Sequence, residues 1–597
     1  LAKKVINYRV GIFGSLLILL IINLVWFNSF DFSVFMGDDL NAWRMFTENT
    51  GFVNYSFQTA AADKYRPVYN IVQFLLFESF GPNYPAYRYI NLLMNYIIAV
   101  TIFFVLYALI KGRNKFEILV PLLITCLYIT SRFSYYNILQ TFGLMEALCL
   151  FFLVLIIGGL LQYDKTKREK YLILICILNF LIVFTHERYI VIFPALVIAF
   201  WFFSLKIRRK MLYSWLLVLP TILNYFIKKI FFASTFLEGT GGTAIDFNIL
   251  RILKFFISGT LNMFGFNIGL SYLSGLDFTE SSKYIQVLSL IILVTILYFV
   301  LFSIRQSKFN KKYIVVFLIS IVLIGSLLLA SSITIRQEFR WLYAPYTVFL
   351  IFVFYLLKDN WNTKRVSIFL MVFVTASLMS NIYYKNYQHN VFFVSAQIIA
   401  ESAHDEILVK NGEELKKKTL YIEKNDTALD WTLLDSLFFQ VYTDKADFKV
   451  NYFNNINEIN IFEKNINDTL IYRFDSGSKK FINISGELLS STMKKTSVIL
   501  NPENWSIPDS NYPLTTIKGE KLYYRLIDLD ALGTELIRMD TNQPYILSNK
   551  VQSNETIAEL QPNEYAIYKA NDDYYFIWIS APGDILWSSR MLYYTRE

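Results

Sequence analysis

VGIFGSLLILLIINLVWFNS, residues 10–29, carries no charged side chain. Its length matches the roughly 20 apolar residues that a helix needs to cross a bilayer core. Comparable runs recur at about 85–110, 116–133, 143–162, 171–185, 189–204, 212–233, 285–304, 313–332, 342–357 and 366–384. Such runs explain why the 597-residue chain is 55% hydrophobic, 18% aromatic and only 17% charged, with a mean hydropathy of +0.40. Soluble domains carry nearer a quarter charged residues, and neither a disordered nor a collagen-like chain has this apolar content. The expectation is a multi-pass α-helical membrane protein of about 11 transmembrane helices. The first run is long and reads as an uncleaved span rather than a signal peptide.

Charge divides the chain. Residues 1–384 hold 34 Lys/Arg against 17 Asp/Glu, and residues 385–597 hold 22 against 30. Of those 34 cations, 21 fall in loops on the side of the N-terminus if all eleven runs cross, in clusters such as Lys165, Lys167, Arg168 and Lys170, or Lys206 and Arg208 to Lys210. The positive-inside rule makes that side cytoplasmic. The basic balance therefore reports topology and no nucleic-acid partner is expected. The localisation expected is the plasma membrane, with a cytoplasmic N-terminus. Cys126, Cys149 and Cys176 lie inside apolar runs and form no disulfide framework.

Residues 67–81 (PVYNIVQFLLFESFG) are apolar but too short to span. Pro67 can start a helix and Gly81-Pro82 ends it, so the segment is expected in the outer interface. Counting it as a crossing would put the later basic clusters outside. From Lys385 the pattern changes to short strands such as Thr419–Ile422 and Lys449–Phe453, with helical periodicity over Leu433–Tyr442. Residues 1–384 are thus read as the transmembrane catalytic domain and 385–597 as a soluble extracytoplasmic α/β or α+β domain, suited to acceptor binding. Tyr574, Tyr575, Trp578 and Trp587 could stack on sugars there, although aromatic residues at this spacing are more often core.

Chemistry concentrates at one membrane face: 13 of the 17 acidic residues lie in outer loops or at outer span ends. Gly37-Asp38-Asp39 follows the first span, and adjacent carboxylates near a membrane suggest a base or a cation ligand. The structural alternative is a solvated turn with Asp39 capping a helix over Leu40–Phe46. Tyr65-Arg66-Pro67 closes the same loop, its guanidinium suited to a phosphate or to lipid headgroups. His186-Glu187-Arg188 sits where almost no loop separates two spans, and ionisable groups at such a depth need partners. A lone His186 without companion His or Cys argues against zinc. Arg336-Gln337-Glu338-Phe339-Arg340 and Lys228-Lys229 place cations against the topological trend, as an anionic ligand would require. Glu146 and Gln140 flank the start of the fourth span, where a helix-to-helix hydrogen bond competes with a site role. Glu238 to Gly242 lacks the strand and helix context of a phosphate loop.

The order of these pieces carries a resemblance. An acidic pair after the first span is followed by Y-R-P at 65–67, F-G-P-N-Y-P-A-Y-R-Y-I-N from 80, G-L-M-E-A-L from 143, H-E at 186–187 and R-x-x-x-R-W-L-Y-A-P from 336. Over roughly residues 10–384 this resembles the GT-C glycosyltransferases, multi-spanning enzymes that use polyprenyl-phosphate-linked sugars and include protein O-mannosyltransferases and bacterial envelope-polymer glycosyltransferases. Arg88 and Asn95 stand where a histidine is frequent in that group, and the first pair is Asp-Asp rather than Asp-Glu. The resemblance implies that Asp38, with Asp39 as partner or alternate, deprotonates an acceptor hydroxyl that attacks the anomeric carbon. It implies that Arg66, Arg336 and Arg340, with Lys228 and Lys229, hold the donor phosphate. Glu187 would orient the acceptor or an Arg, and Tyr65, Glu146, His186 and Arg188 would shape the site. No cofactor is certain. A divalent cation on Asp38, Asp39 and Glu187 is the one the family suggests.

The resulting expectation is transfer of a sugar, with inversion, from a polyprenyl-phosphate donor to an extracytoplasmic envelope glycopolymer or similar acceptor. A flippase of lipid-linked glycans would call for internal repeats and mid-span charges, and the sequence has neither. A polysaccharide polymerase or ligase is the nearer alternative. Abundant Lys, Asn and Ile suit a bacterium with an AT-rich genome.

Overall fold

A computed structural model describes residues 2–485 apart from 30–31, 50, 61–63, 111–117, 233–246, 267–277, 308–310, 334–337, 362, 387–391, 444, 446 and 455–468; beyond 485 it describes the strands alone. The chain divides into two compact units, Leu1–Gln397 and Ile398–Glu597. The division falls later than the change in composition at 384. Helix α16 runs on to Asn386, and the Gln397 amide donates to the Val34 carbonyl at 2.8 Å, holding that residue to the first unit.

The first unit is helical. Its order is α1 (Ala2–Phe27), α2 (Asp38–Glu48), α3 (Phe52–Phe57), a two-residue hairpin of β1 (Thr59–Ala60) and β2 (Lys64–Tyr65), α4 (Pro67–Phe80), α5 (Tyr84–Tyr107) and α6 (Leu119–Ile129). It continues with α7 (Tyr135–Leu139), α8 (Gly143–Thr166), α9 (Lys170–Thr185), α10 (Phe193–Phe202), α11 (Ile207–Phe231) and α12 (Ile249–Met263). The last five helices are α13 (Lys283–Ser307), α14 (Lys311–Ser332), α15 (Tyr343–Leu357), α16 (Lys364–Asn386) and α17 (Phe392–Ser402). Among the described residues, eight helices are long and apolar enough to cross a membrane: α1, α5, α8, α11, α13, α14, α15 with its leading turn from Phe339, and α16. The chain is a multi-pass helical membrane protein.

The three other expected spans coincide with α6, α9 and α10, of 11, 16 and 10 residues. Each is short because its neighbour is irregular: α6 gives way to a 3-10 turn at Arg132–Ser134, and α9 and α10 are separated by another at Glu187–Ile192. Segment 67–80 is a helix, as its Pro and Gly punctuation predicts. Helix α12 was not expected. Asn248 Oδ1 accepts from the amides of Leu250 and Arg251, starting a helix that buries Phe255 and Ser258 and exposes Leu250, Leu253 and Ile257.

Polar side chains tie the helices together where lipid cannot satisfy them. Asn95 of α5 donates to Asn23 of α1 at 2.6 Å and accepts from Tyr128 of α6 at 2.7 Å, and Tyr128 in turn bonds Tyr343 of α15. Arg88, where the resemblance favours histidine, reaches back to the Phe27 carbonyl at 3.3 Å.

The second unit begins with α18 (Leu429–Leu433) and α19 (Leu437–Thr443) beside a sheet ordered β4-β3-β5-β6, from β3 (Thr419–Glu423), β4 (Val450–Phe453), β5 (Thr469–Asp475) and β6 (Lys480–Asn483). β3 lies parallel to both β4 and β5, and β6 is antiparallel to β5. The helix expected over Leu433–Tyr442 is split, because Leu434 and Asp435 adopt left-handed φ of 45° and 59°. β7 (Lys494–Thr496) pairs with β8 (Leu522–Tyr524). Strands β9 (Leu526–Asp528), β10 (Leu536–Asp540), β11 (Gln543–Leu547), β12 (Tyr565–Ala570), β13 (Asp573–Trp578) and β14 (Arg590–Tyr594) form an antiparallel sheet ordered β11-β10-β12-β13-β14-β9. Tyr574, Tyr575 and Trp578 lie on β13, and Trp587 lies outside the described residues.

Candidate active site

Gly37 takes φ 50°, a conformation costly for any residue with a Cβ, and the chain turns there into α2. Asp38 and Asp39 therefore occupy the first turn of the helix, and Asp39 is not its cap. The two carboxylates diverge. Asp39 is fully buried: its Oδ1 accepts from the Thr141 amide at 3.0 Å, the Thr141 hydroxyl at 2.6 Å and the Phe142 amide at 3.4 Å. Its Oδ2 is buried with no hydrogen-bond partner among the described residues. Burial pushes its carboxyl up to about 7; the Thr141 bonds oppose that rise and the Asp38 charge adds to it. Asp38 is only partly buried and lies within electrostatic reach of Lys64, Tyr136 and Arg340.

β2 and the start of α4 deliver the next groups. Pro67 fixes the first helical position, leaving Arg66 as the preceding cap residue. Lys64, one strand residue earlier, is pushed down to about 8, first by burial and then by Arg66. Arg66 Nε lies 3.9 Å from Glu187 Oε1, and Lys228 of α11 donates to Glu187 Oε2 at 2.9 Å with its side chain buried. Tyr65 turns away from the charges, its ring 5.4 Å from Phe232 and 6.0 Å from Phe184 in a cluster with Val183 and Ile190.

A second charged knot lies at the start of α8. Glu146 Oε2 accepts from Arg188 at 2.7 Å and from Tyr189 at 2.9 Å, while His186 Nε2 stands 3.4 Å from its other oxygen. Burial, and then the Arg66 charge, hold the His186 imidazole well below its usual value, so it is neutral. Its Nδ1 accepts from the Arg188 amide at 3.3 Å and caps the turn. Arg188 also stacks 5.4 Å from the Trp341 ring. Arg340 pairs with Glu338, lies 4.3 Å above the Tyr136 ring and reaches the field of Glu146 and Asp38.

The structure thus brings Asp38, Asp39, Arg66, Glu146, His186, Glu187, Arg188, Lys228 and Arg340 into linked networks at one set of helix ends. Lys229 is not among them: it is exposed, because adjacent helix positions face different ways. Arg336 and the Glu238–Gly242 stretch lie outside the described residues. Gln140 is fully buried and its side-chain amide makes no hydrogen bond among the described residues.

Sequence reasoning missed Lys64, Tyr136, Thr141 and Glu338 as partners. Lys64 adjoins Tyr65-Arg66-Pro67 and was open to the same argument. Thr141 had no signal, being 102 positions from the carboxylate it binds. Among the described residues, no group of three or more His, Cys, Asp or Glu is arranged to hold a metal ion. Asp39 is taken up by Thr141 and Glu187 by two cations. The donor set does not fit a divalent cation shared by Asp38, Asp39 and Glu187.

Compared with known proteins, the chain matches no family model and no curated protein.

Proposed function

We propose that the protein is a glycosyltransferase that moves a sugar from a polyprenyl-phosphate donor to a hydroxyl of an extracytoplasmic envelope glycopolymer or similar acceptor. The observation that carries this reading is the setting of Asp38: a partly accessible carboxylate at a helix start, facing Lys64 and Arg340, beside the Arg66–Glu187–Lys228 network. Asp38 takes the acceptor proton as the acceptor oxygen bonds to the anomeric carbon. The carbon–oxygen bond to the lipid phosphate breaks, and its electron pair leaves on the phosphate. Lys64, Arg66 and Arg340 meet that developing charge. One displacement inverts the anomeric centre. Asp39 acts through Thr141 and Phe142, holding α2 so that Asp38 faces the site.

In this reading all eleven apolar segments cross the plasma membrane, the basic loops are cytoplasmic, and the second unit is extracytoplasmic and engages the acceptor. Charges gathered at helix ends rather than mid-span favour interfacial transfer over transport of the whole glycan.

The test compares envelope sugar composition in cells carrying wild type, Asp38→Asn, Asp39→Asn or no protein, at matched membrane levels. Loss of one sugar in both the null and Asp38→Asn strains is expected. Wild-type composition in both Asp variants would remove the catalytic assignment.

A further inference from the structure

Away from the charged networks, the first unit contains a cavity of about 500 Å³ enclosed by α8, α10, α14 and α15. Leu160, Leu323 and Phe352 are among its apolar lining, and Asp164, Lys167 and Tyr355 bring polar groups to it from the far ends of α8 and α15. Those ends lie opposite the candidate active site. From Glu146 to Asp164 along α8, a rise of about 1.5 Å per residue gives about 27 Å, close to the thickness of a bilayer core. Cavity and site therefore belong to opposite leaflets.

An apolar space of this size between membrane helices forfeits contacts if it stays empty and offers water few partners. A hydrocarbon chain fills it. The polar end narrows the choice. Tyr355 is 4% exposed, and its hydroxyl makes no hydrogen bond among the described residues, leaving a buried donor at the cavity. Lys358 lies 3.3 Å from the centre of the Tyr355 ring, and Lys167 is half-exposed beside Asp164. Lys165, Arg168, Lys170, Lys206, Arg208, Arg209 and Lys210 occupy loops at the same helix ends. Basic rims over pockets between membrane helices attract anionic lipid headgroups.

We propose that this cavity holds an acyl chain of an anionic phospholipid from the leaflet facing the basic loops. The Tyr355 hydroxyl donates to a phosphate or ester oxygen, and Lys167 and Lys358 supply the charge. Because α8, α10 and α15 carry Glu146, Arg188 and Arg340 at or just before their other ends, the bound lipid sets the spacing of helices that build the site. The binding itself does not depend on the catalytic reading.

The full-length protein, purified in mild detergent, is incubated with equal amounts of phosphatidylglycerol and phosphatidylcholine of identical chains and examined by native mass spectrometry. Wild type is expected to retain one phosphatidylglycerol preferentially. Ser320→Trp, which fills the cavity, and Tyr355→Phe, which keeps its shape, should each lower retention about tenfold. Lys167→Asn with Lys358→Gln should erase the preference between headgroups; asparagine tolerates the left-handed backbone of residue 167. Equal retention of both lipids by wild type overturns the headgroup assignment. Unchanged retention in Ser320→Trp and Tyr355→Phe overturns the location, and recovery of a polyprenyl phosphate in place of phospholipid overturns the occupant.

Discussion

Asp39 enters its pocket with three donors on one oxygen, while the other is left dry. The unfolded chain releases the proton near 3.8 and the folded chain near 7. Between those values the folded state binds the extra proton, so stability falls as pH rises from about 4 to about 7 and levels above that. Thermal unfolding in detergent at pH 5 and pH 8 should show this loss, and Asp39→Asn, which mimics the neutral form, should flatten it. Asp38 differs because it is partly accessible and faces cations. Asp38→Asn is expected to cut transfer by about 10²–10⁴-fold at normal membrane levels, the usual worth of a general base. Asp39→Asn should stay within about tenfold of wild type. The reverse ranking, in an assay of purified protein, would make Asp39 the base. At Glu187, removing one partner leaves a buried charge alone. Lys228→Met should therefore destabilise the protein by about 3 kcal/mol or more, visible as a lowered unfolding temperature, whereas Lys229→Met on the exposed face should change little.

At the scale of elements, the short turn between α7 and α8 sets the site, because it carries both donors to Asp39 and leads into Glu146. Gly143 makes that turn close: a Cβ there would come 2.4 Å from the Asn137 Cα and 2.7 Å from its carbonyl oxygen. Gly143→Ala must push backbone away from backbone, at about 3 kcal/mol. It should lower the unfolding temperature and impair transfer together. Gly14→Ala in α1, where a Cβ meets nothing within 4 Å, is the control and should match wild type. The spans themselves were legible in the sequence because lipid leaves backbone groups only one set of partners, those within the helix. Helix α12 was not legible, since its apolar positions are interrupted by Arg251 and Lys254 and read as loop. The broken helix near Leu434 was equally hidden, because a left-handed leucine has no sequence signature.

For the whole molecule, the proposed orientation puts Glu48 and Arg168 on opposite sides of the membrane. Cys126, Cys149 and Cys176 are all buried, so background labelling should be low. Glu48→Cys is expected to react with an impermeant maleimide in intact cells, and Arg168→Cys only after permeabilisation. Labelling of both from one side would reject the eleven-span topology. Much of this scale was written in the sequence: periodic apolar length fixes where helices form, and the skew of Lys and Arg among loops separates one face of the membrane from the other. The concentration of acidic residues at the second face marked where charged partners would meet. Pairing was another matter. That Glu146 is consumed by Arg188, that Glu187 takes both Arg66 and Lys228, and that Asp39 anchors while Asp38 stays open depended on tertiary structure. Hydrogen bonds and ion pairs act over about 3 Å, and only folding brings residues a hundred positions apart to that distance.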